Sequence, residues 1–374
     1  MRRFLTVIIC LFYIPCYCQF SFNITLNTST LNGRKIFLYL LDNNSLHTVK
    51  TDSMVFKDNQ IQFRGRLKFQ SNFARFSIFE HGKNININFV IDTCKSDVNL
   101  EITSTGPEKL LLRNLNTKSN HIYQELDSIT KFSFGKASTL SGQKNEIIMN
   151  TALYTEMLRK LVKSLETYPT DFFSVLALYR LSHYDHSPEY AKSVLLTLAT
   201  FSNENRYSML GKEIFDEQTK LIIGKNSAKI GNKVLEFSVR DIHDKIFNNK
   251  SLQGQNYIIA FSATWCLPCQ TQLPKLKRIY QDYKSKGLKV VYFNNDDDHI
   301  KWNNHVLKND LNWINVSEGL KPSRSKIQRS FGIYAIPSYL LIGKNGTIVY
   351  NSDQNDIEIN DLEKNVRKLY DKPE

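Results

Sequence analysis

The sequence is poor in cysteine, glycine and proline: 374 residues include only 6 Cys, 15 Gly and 9 Pro. So little glycine and proline excludes a collagen-like repeat, and a hydrophobic content of 41% excludes a wholly disordered chain. Six cysteines are too few to hold a fold of this length together by disulfides, so the positions of the cysteines carry the information. The composition indicates a globular protein of two to three domains.

Clustered charge is also missing. The formal net charge is +13, but the basic residues are scattered from Arg2 to Lys372. No basic arm and no standard nucleic-acid motif is found, so we expect a solvated surface and no nucleic-acid partner. Beyond residue 18, no apolar stretch approaches the ~20 residues that a membrane-spanning helix needs.

The first eighteen residues are typical of a secretory signal peptide. Met1-Arg2-Arg3 is a short cationic start, an apolar run follows from Phe4 to Ile14, and cleavage after Cys18 is favoured. An uncleaved anchor and lipidation of Cys16 or Cys18 are the alternatives. We therefore expect an exported protein of the cell envelope, located in the periplasm. Such a compartment allows disulfides to persist.

Changes of periodicity divide the mature chain into three regions. Short apolar or alternating runs between turn-forming clusters predict a small antiparallel β domain over residues 19–105. A helical period follows over residues 106–225, where Thr170 and Ser187 are candidate N-caps. A polar stretch from Gly224 to Gly231 marks the expected boundary with the last region, residues 226–374.

The last region alternates strands and helices. Tyr257–Ala263 and Leu288–Asn294 read as buried strands on either side of a helix over Pro268–Lys286. Further on, helical stretches are predicted near 300–308 and 323–331, two strands are predicted at 338–342 and 347–350, and a helix closes the chain at 358–370. Lys344-Asn345-Gly346 joins the last two strands as a hairpin. This order predicts an α/β domain with a mixed sheet and helices on its faces.

One motif carries chemistry. Trp265-Cys266-Leu267-Pro268-Cys269 lies where the strand passes into the helix. A thiolate at a helix N-terminus is stabilised by unpaired backbone N–H groups and by the macrodipole, so the pKa of Cys266 is expected to be lowered. Cys269 lies about one turn further on and can resolve a mixed disulfide formed at Cys266. The spacing therefore predicts a redox pair in which Cys266 attacks and Cys269 resolves.

A cysteine pair with this spacing also suits two other uses. A zinc site needs further ligands, and the remaining mature cysteine is Cys94, in another region, while His243, His299 and His305 are scattered. A purely structural disulfide over so short a loop contributes only roughly 2 kcal/mol. Neither a metal nor a cofactor is therefore expected.

The segment from about Lys229 to Lys372 resembles the thioredoxin superfamily and, within it, the exported TlpA/ResA-like thiol-disulfide oxidoreductases. The matching residues are the Trp265–Cys269 motif, Pro274, Ala335-Ile336-Pro337-Ser338 and the hairpin from Lys344 to Ile348. The resemblance implies a cis peptide bond before Pro337, which faces the cysteines, and an Ile336 backbone free to pair with an extended substrate. It also implies that Trp265 and Pro268 contact substrate.

Two departures from this family concern proton transfer. The position that often carries Glu, three residues after the second cysteine, is Gln272 here, and the position of the buried Asp of thioredoxin is Ala260. Both expected proton acceptors for Cys269 are therefore absent. The run Asp296-Asp297-Asp298 is expected to be a solvated flank of the following helix rather than a calcium loop.

The resemblance implies disulfide-containing protein substrates, such as apocytochrome c, and a membrane electron donor that keeps the pair reduced. Oxidase or isomerase activity is the variant to be separated by the reduction potential. An envelope protein that binds a partner, with the thioredoxin fold as scaffold, is the alternative from another class.

The N-terminal region resembles the DUF4369-like β domain and helical linker found before such domains in Bacteroidetes. This resemblance indicates no activity. Cys94 is expected to be a buried small hydrophobe or a free thiol.

Overall fold

The structure is a computed structural model that describes residues 20–42, 48–93, 95–102, 109–113, 115, 117–141, 151–354 and 359–370. The proposed signal peptide and Cys94 lie outside these residues. Two compact units are formed. The first comprises the described residues up to Leu181 together with Thr197–Gly211, and the second comprises Ser182–Leu196 together with the described residues from Lys212 onward.

Eight strands of the first unit form two four-stranded sheets, in the orders β4-β1-β7-β8 and β3-β2-β5-β6. Apolar side chains from both sheets form one core, in which the rings of Phe76 and Phe89 stack at 4.6 Å. The strands are β1 Phe20–Asn27, β2 Lys35–Leu41, β3 Thr48–Val55, β4 Gln60–Leu67, β5 Ser71–Glu80, β6 Lys83–Asp92, β7 Lys95–Ile102 and β8 Leu110–Arg113.

The predicted β domain is confirmed, and it differs from the sequence prediction in three details. The sheets are not wholly antiparallel, because β1 pairs with β7 in parallel. Strand β3 was missed because its side chains are mostly exposed on both faces, which leaves no alternation to detect. Strand β8 was missed because it has only four residues, and it lies where the helical region was expected to have begun.

The helices that follow are α1 Lys118–Ser141, α2 Thr151–Ser164, α3 Phe172–Leu181, α4 Pro188–Thr200, α5 Asn203–Arg206 and α6 Met209–Ser227. Ser187 caps α4 as predicted, since its Oγ accepts the backbone N–H of Tyr190 at 3.3 Å. The prediction of Thr170 as the cap of α3 is wrong. The carboxylate of Asp171 accepts the N–H of Phe173 at 2.8 Å instead.

Helix α6 runs through the expected boundary at Gly224 and reaches Ser227. Gly224 is required there by a close approach, because a Cβ at this position would lie 2.5 Å from the backbone nitrogen of Gly332 and 2.7 Å from the carbonyl oxygen of Arg329. A glycine inside a helix costs about 0.5–1 kcal/mol relative to alanine. The contact therefore explains why the helix keeps a residue that otherwise weakens it.

We expect Gly224→Ala to lower the free energy of unfolding by about 1–3 kcal/mol, because the added methyl group must displace backbone atoms. Chemical denaturation monitored by circular dichroism measures this change. The matched control is Gly135→Ala in α1, where a Cβ meets no atom within 4 Å and alanine is expected to stabilise. Equal stability of the two variants would contradict the packing explanation.

The second unit contains a mixed seven-stranded sheet in the order β10-β9-β13-β12-β11-β14-β15. Its strands are β9 Ser238–Asp241, β10 Ile246–Asn248, β11 Tyr257–Ser262, β12 Lys289–Asn294, β13 Ile314–Ser317, β14 Ser338–Ile342 and β15 Ile348–Asn351. Its further helices are α7 Leu267–Tyr283, α8 His299–Lys308, α9 Lys326–Ser330 and α10 Ile359–Tyr370.

The predicted α/β fold of this region is confirmed, with each predicted strand and helix present within a few residues. Strands β9, β10 and β13 were missed because they have only three or four residues each. All six side chains of β11 are buried, and the strand lies between β12, its parallel neighbour, and β14, its antiparallel neighbour. The central strand therefore delivers the chain from Ser262 directly to the cysteine motif.

Candidate active site

The turn between β11 and α7 places Cys266 at the N-cap of α7. Its backbone N–H donates to the carbonyl of Ala263 at 3.2 Å, and its Sγ accepts the N–H of Cys269 at 3.2 Å. Pro268 occupies the first turn of the helix, where a missing N–H costs nothing. The sulfur of Cys266 thus accepts a hydrogen bond from a backbone N–H at the positive end of the helix dipole. Both the hydrogen bond and the dipole favour a thiolate when the pair is reduced.

Cys266 and Cys269 are joined by a disulfide in this structure. Both residues are buried, with 5% and 3% of their surfaces exposed. The residues around them are open to solvent: Trp265 is 56% exposed, Leu267 is 76% exposed, and Pro268 is also exposed. An incoming protein therefore meets an apolar rim before it reaches sulfur.

The predicted proline loop comes to this rim. The Ile336–Pro337 peptide bond is cis, as the resemblance implies. The carbonyl oxygen of Ile336 lies 3.7 Å from the Sγ of Cys266, and the Ile336 side chain packs against the small cluster that contains both cysteines. Pro337 is buried behind it. The structure therefore places Cys266, Cys269 and Ile336 together, while the substrate-binding roles of Trp265, Pro268, Ile336 and Pro337 stay predictions.

A buried carboxylate beside the motif was not predicted. Asp296 is 3% exposed, so the expectation of a wholly solvated acidic flank is wrong at this position. Its carboxylate accepts the Thr264 hydroxyl at 2.8 Å, the Thr264 backbone N–H at 3.1 Å and the Asn294 side-chain amide at 2.7 Å. Asp296 thus fixes the residue two positions before Cys266.

The other two acidic residues of that run match the expectation. The Asp298 carboxylate caps α8 by accepting the N–H groups of Ile300 and Lys301. Asp297 is exposed and pairs with Lys321 at 3.3 Å. No sequence signal separates Asp296 from its neighbours, because only the pairing of strands brings it to Thr264.

Two tyrosines flank Ala260, the position at which the resemblance implies a carboxylate. Ala260 pairs with Tyr292 on β12 and with Tyr339 on β14, so both rings flank it on one face of the sheet. The Tyr339 hydroxyl donates to the Oε1 of Gln272 at 3.0 Å, and the hydroxyls of Tyr292 and Ser262 lie 2.7 Å apart.

Burial keeps these phenols neutral. It raises the pKa of Tyr292 to about 12, and it raises the pKa of Tyr339 as well. Both hydroxyls therefore keep their protons at neutral pH, and the Tyr339 hydroxyl holds Gln272 in place by its hydrogen bond. Positions 260 and 272 carry no carboxylate, as the sequence shows. The polar groups near them are neutral: the Gln272 amide and the hydroxyls of Tyr292 and Tyr339.

A histidine stacks on the loop that leads to Pro337. The rings of His186 and Tyr334 lie 4.5 Å apart and nearly parallel, within the second unit. Burial lowers the pKa of His186, and the nearby His183, Lys225 and Arg329 lower it further, while Asp185 opposes them. The folded protein therefore favours neutral His186.

This depressed pKa predicts a loss of stability in acid. As pH falls below the ordinary histidine pKa of 6.5, the unfolded chain takes up a proton that the folded chain resists, so the free energy of unfolding decreases. His186→Phe keeps a stacked ring without the titration and is expected to flatten the profile between pH 7 and pH 5. Urea unfolding at each pH measures it. The matched control, His243→Phe at an exposed position, is expected to keep the original slope, and an unchanged slope in His186→Phe would contradict the assignment.

Within the described residues, no three His, Cys, Asp or Glu side chains are grouped so that they could hold a metal ion. None of the described helices combines the length and apolar character needed to cross a membrane.

A cysteine pair at a helix N-terminus, beside a cis-proline loop in a mixed sheet, defines a thioredoxin-like domain with the site of a thiol-disulfide oxidoreductase. A family model described as thioredoxin-like matches residues 254–348. The fold, the pair and the similar curated proteins together support a thiol-disulfide oxidoreductase.

The similar curated proteins match this C-terminal region of the chain. Thiol-disulfide oxidoreductase ResA of Bacillus cereus is 29% identical over 126 residues, which are 33% of this chain and 70% of that protein. ResA of Bacillus subtilis is 25% identical over 126 residues, covering 34% and 68%. Probable nucleoredoxin 1 of Arabidopsis thaliana is 28% identical over 115 residues, covering 30% and 19%.

A similar solved structure is the C-terminal domain of a putative thiol-disulfide oxidoreductase from Bacteroides thetaiotaomicron. It is 21% identical, has a TM-score of 0.34, and covers 38% of this chain and 99% of its own. The DUF4369-like resemblance of the N-terminal region stays a prediction.

Proposed function

We propose that this protein is an exported thiol-disulfide oxidoreductase that reduces disulfides in envelope proteins. The observation that carries the proposal is the Cys266–Cys269 pair, with Cys266 Sγ at the N-cap of α7 and 3.7 Å from the Ile336 carbonyl oxygen. This arrangement favours a nucleophilic thiolate at a surface where an extended substrate can pair with the proline loop.

The reaction is a two-electron exchange. The Cys266 thiolate attacks one sulfur of the substrate disulfide, which forms a mixed disulfide and expels the other substrate sulfur as a thiolate. The Cys269 thiolate then attacks Cys266 Sγ, which releases the second substrate thiol and leaves the disulfide present in this structure. An electron donor must then return two electrons and two protons to the pair.

Gln272 and the phenols cannot accept the Cys269 proton at neutral pH, because the amide is not basic and the hydroxyls remain protonated. The Cys269 proton must therefore pass to water or to a group other than these side chains. The apolar rim of Trp265 and Leu267 suits substrates whose disulfide lies among apolar residues.

The proposed physiological role is to reduce the disulfides of periplasmic proteins, either during cytochrome c maturation or in general redox homeostasis. A membrane protein is the proposed electron donor. Its support is the resemblance to ResA-like proteins and the signal-peptide pattern of residues 1–18. The direction of transfer is decided by the reduction potential of the pair, measured against glutathione. A potential near −270 mV, like that of thioredoxin, supports a reductase, and one near −120 mV would make the protein an oxidase.

We expect Cys269→Ser to accumulate mixed disulfides, because the attack by Cys266 still occurs and the resolving sulfur is gone. Non-reducing electrophoresis of the full chain, after exposure to envelope proteins and acid quenching, detects adducts that dithiothreitol removes. The double variant Cys266→Ser, Cys269→Ser is the control and should form none. Partners retained only noncovalently, in equal amounts by both variants, would favour the binding-protein alternative.

A further inference from the structure

A cavity of about 370 Å³ lies in the first unit where β6, β8 and α1 meet. Its walls come from the stretch Asn86–Phe89 of β6, from Leu112 and Leu115, and from Tyr123 and Gln124 of α1 among others. This volume falls within the range of ligand-binding pockets. The cysteine pair belongs to the second unit, so the cavity is not part of the redox site.

The β6 side of this cavity is a sheet edge. β6 is the last strand in the order β3-β2-β5-β6, so one side of its backbone has no neighbouring strand in that sheet. At Val90 this outer side is occupied by the side-chain amide of Asn120. The Val90 N–H donates to Oδ1 at 2.9 Å, and the Asn120 Nδ2 donates to the Val90 carbonyl at 2.6 Å. A primary amide here makes the two hydrogen bonds that a neighbouring strand would make.

The register of β6 shows which other backbone groups of this strand point away from β5. The pairing of β5 with β6 is antiparallel without a bulge, so backbone groups point outward at every second residue. Since Val90 points outward to Asn120, Asn88 and Asn86 also direct their N–H and C=O groups away from β5. Both residues line the cavity. Across the described part of the chain, the structure shows no hydrogen bond to these outward groups.

The two walls of the cavity differ in polarity. Ile87, Leu112 and Leu115 are partly buried side chains at the margin of the sandwich core, so they present apolar surface. The opposite wall, on α1, carries Gln124 and the ion pair of Asp127 with Lys131, whose charged atoms are 2.5 Å apart. This wall is therefore polar and has no net charge.

We propose that this cavity binds an extended segment of a partner polypeptide, and that the segment adds to β6 as a fifth strand of its sheet. The Asn120 amide closes one end of the site, and the outward backbone groups of Asn88 and Asn86 supply the open hydrogen-bonding positions. The rise of a strand is about 3.3 Å per residue, so Asn86 to Val90 spans roughly 13 Å and accommodates about four residues.

The walls define the chemistry of this segment. Side chains alternate between the faces of a strand, so one set meets the apolar margin and the other meets the neutral polar wall. The cavity therefore favours a peptide in which apolar residues alternate with uncharged polar residues, such as Val with Thr, over a peptide with acidic or basic residues. The proposal does not depend on the thiol chemistry.

The test uses fluorescence anisotropy with the full chain and a pooled library of labelled heptapeptides that alternate Val, Ile or Leu with Ser, Thr or Asn. Binding at micromolar concentration is expected, and N-methylation of alternate peptide nitrogens should abolish it. Asn88→Pro removes an outward N–H and keeps the backbone pairing with β5, although it also removes the hydrogen bond from Arg75 Nε to Asn88 Oδ1, and it should weaken binding at least tenfold.

The matched control is Asn84→Pro, which removes an outward N–H from the same strand outside the cavity lining and should leave binding unchanged. A second variant, Gln124→Trp, fills the cavity from α1 and should also weaken binding, which covers the case in which proline disturbs the strand. Circular dichroism and disulfide reduction by each variant confirm folding. Failure of the pool to bind, or binding that survives N-methylation and both cavity variants, would overturn the proposal whatever the redox activity.

Discussion

Replacing Cys266 by alanine is expected to reduce insulin-disulfide reduction to the uncatalysed background, the largest change in activity that any single substitution should cause. Cys266 is the sulfur that accepts the N–H of Cys269 at the helix N-cap and that lies beside the Ile336 carbonyl. Without it, Cys269 remains buried, one turn inside the helix and behind the exposed rim. No thiolate is then presented to the substrate.

The measurement is the turbidity of reduced insulin with dithiothreitol as electron donor. Cys94→Ala is the control, since it removes a mature thiol outside the motif and should retain full activity. Equal turnover by Cys266→Ala and the unmodified protein would overturn the oxidoreductase assignment. A loss in Cys94→Ala as large as that in Cys266→Ala would mean that the motif does not work as a self-contained pair.

Asp296→Ala is expected to cause the largest loss of stability in the second unit, about 2–4 kcal/mol in the free energy of unfolding. The carboxylate accepts two hydrogen bonds from Thr264 and one from Asn294 in a buried position. Each bond to a charged group contributes about 1.5–3 kcal/mol, but removing the carboxylate also removes its desolvation cost, so the net loss is smaller than the sum of the three bonds. Removal of the carboxylate leaves the Thr264 N–H without an acceptor two residues before Cys266. Insulin reduction should therefore fall too, because the turn that positions Cys266 loses its anchor.

The control is the adjacent Asp297→Ala, which removes an exposed carboxylate from the same loop and should change stability by no more than about 0.5 kcal/mol. Denaturant unfolding of both variants gives the difference directly. If Asp296→Ala unfolded at the same denaturant concentration as Asp297→Ala, the anchoring role of Asp296 would be refuted.

The parts of the fold that the sequence predicts are those with strong periodicity. Tyr257–Ser262 is a continuous apolar strand, and α7 begins at Leu267, one residue before the predicted start at Pro268. Strand β3 is mostly exposed on both faces, and its apolar residues do not alternate with polar ones, so no periodicity marks it. The parallel pairing of β1 with β7 depends on residues about 70 positions apart and has no local signature.

The same distinction holds for the site. Cys266 and Cys269 lie three positions apart in the sequence and are predicted from their spacing, and Ile336-Pro337 is predicted from the resemblance. Asp296 and Tyr339 act through strands that are neighbours only after folding. The roles of these two side chains can therefore be assigned only when the register of β11, β12 and β14 is known.

The discontinuous makeup of the second unit limits where the chain can be cut. Ser182–Leu196 belongs to this unit, although Thr197–Gly211 returns to the first. A fragment that starts at residue 226 would lack the His186 ring that covers Tyr334 and the Gly224 backbone that meets Gly332. The redox domain therefore draws part of its support from an earlier stretch of chain, and the two units cannot be separated intact by a single peptide cleavage.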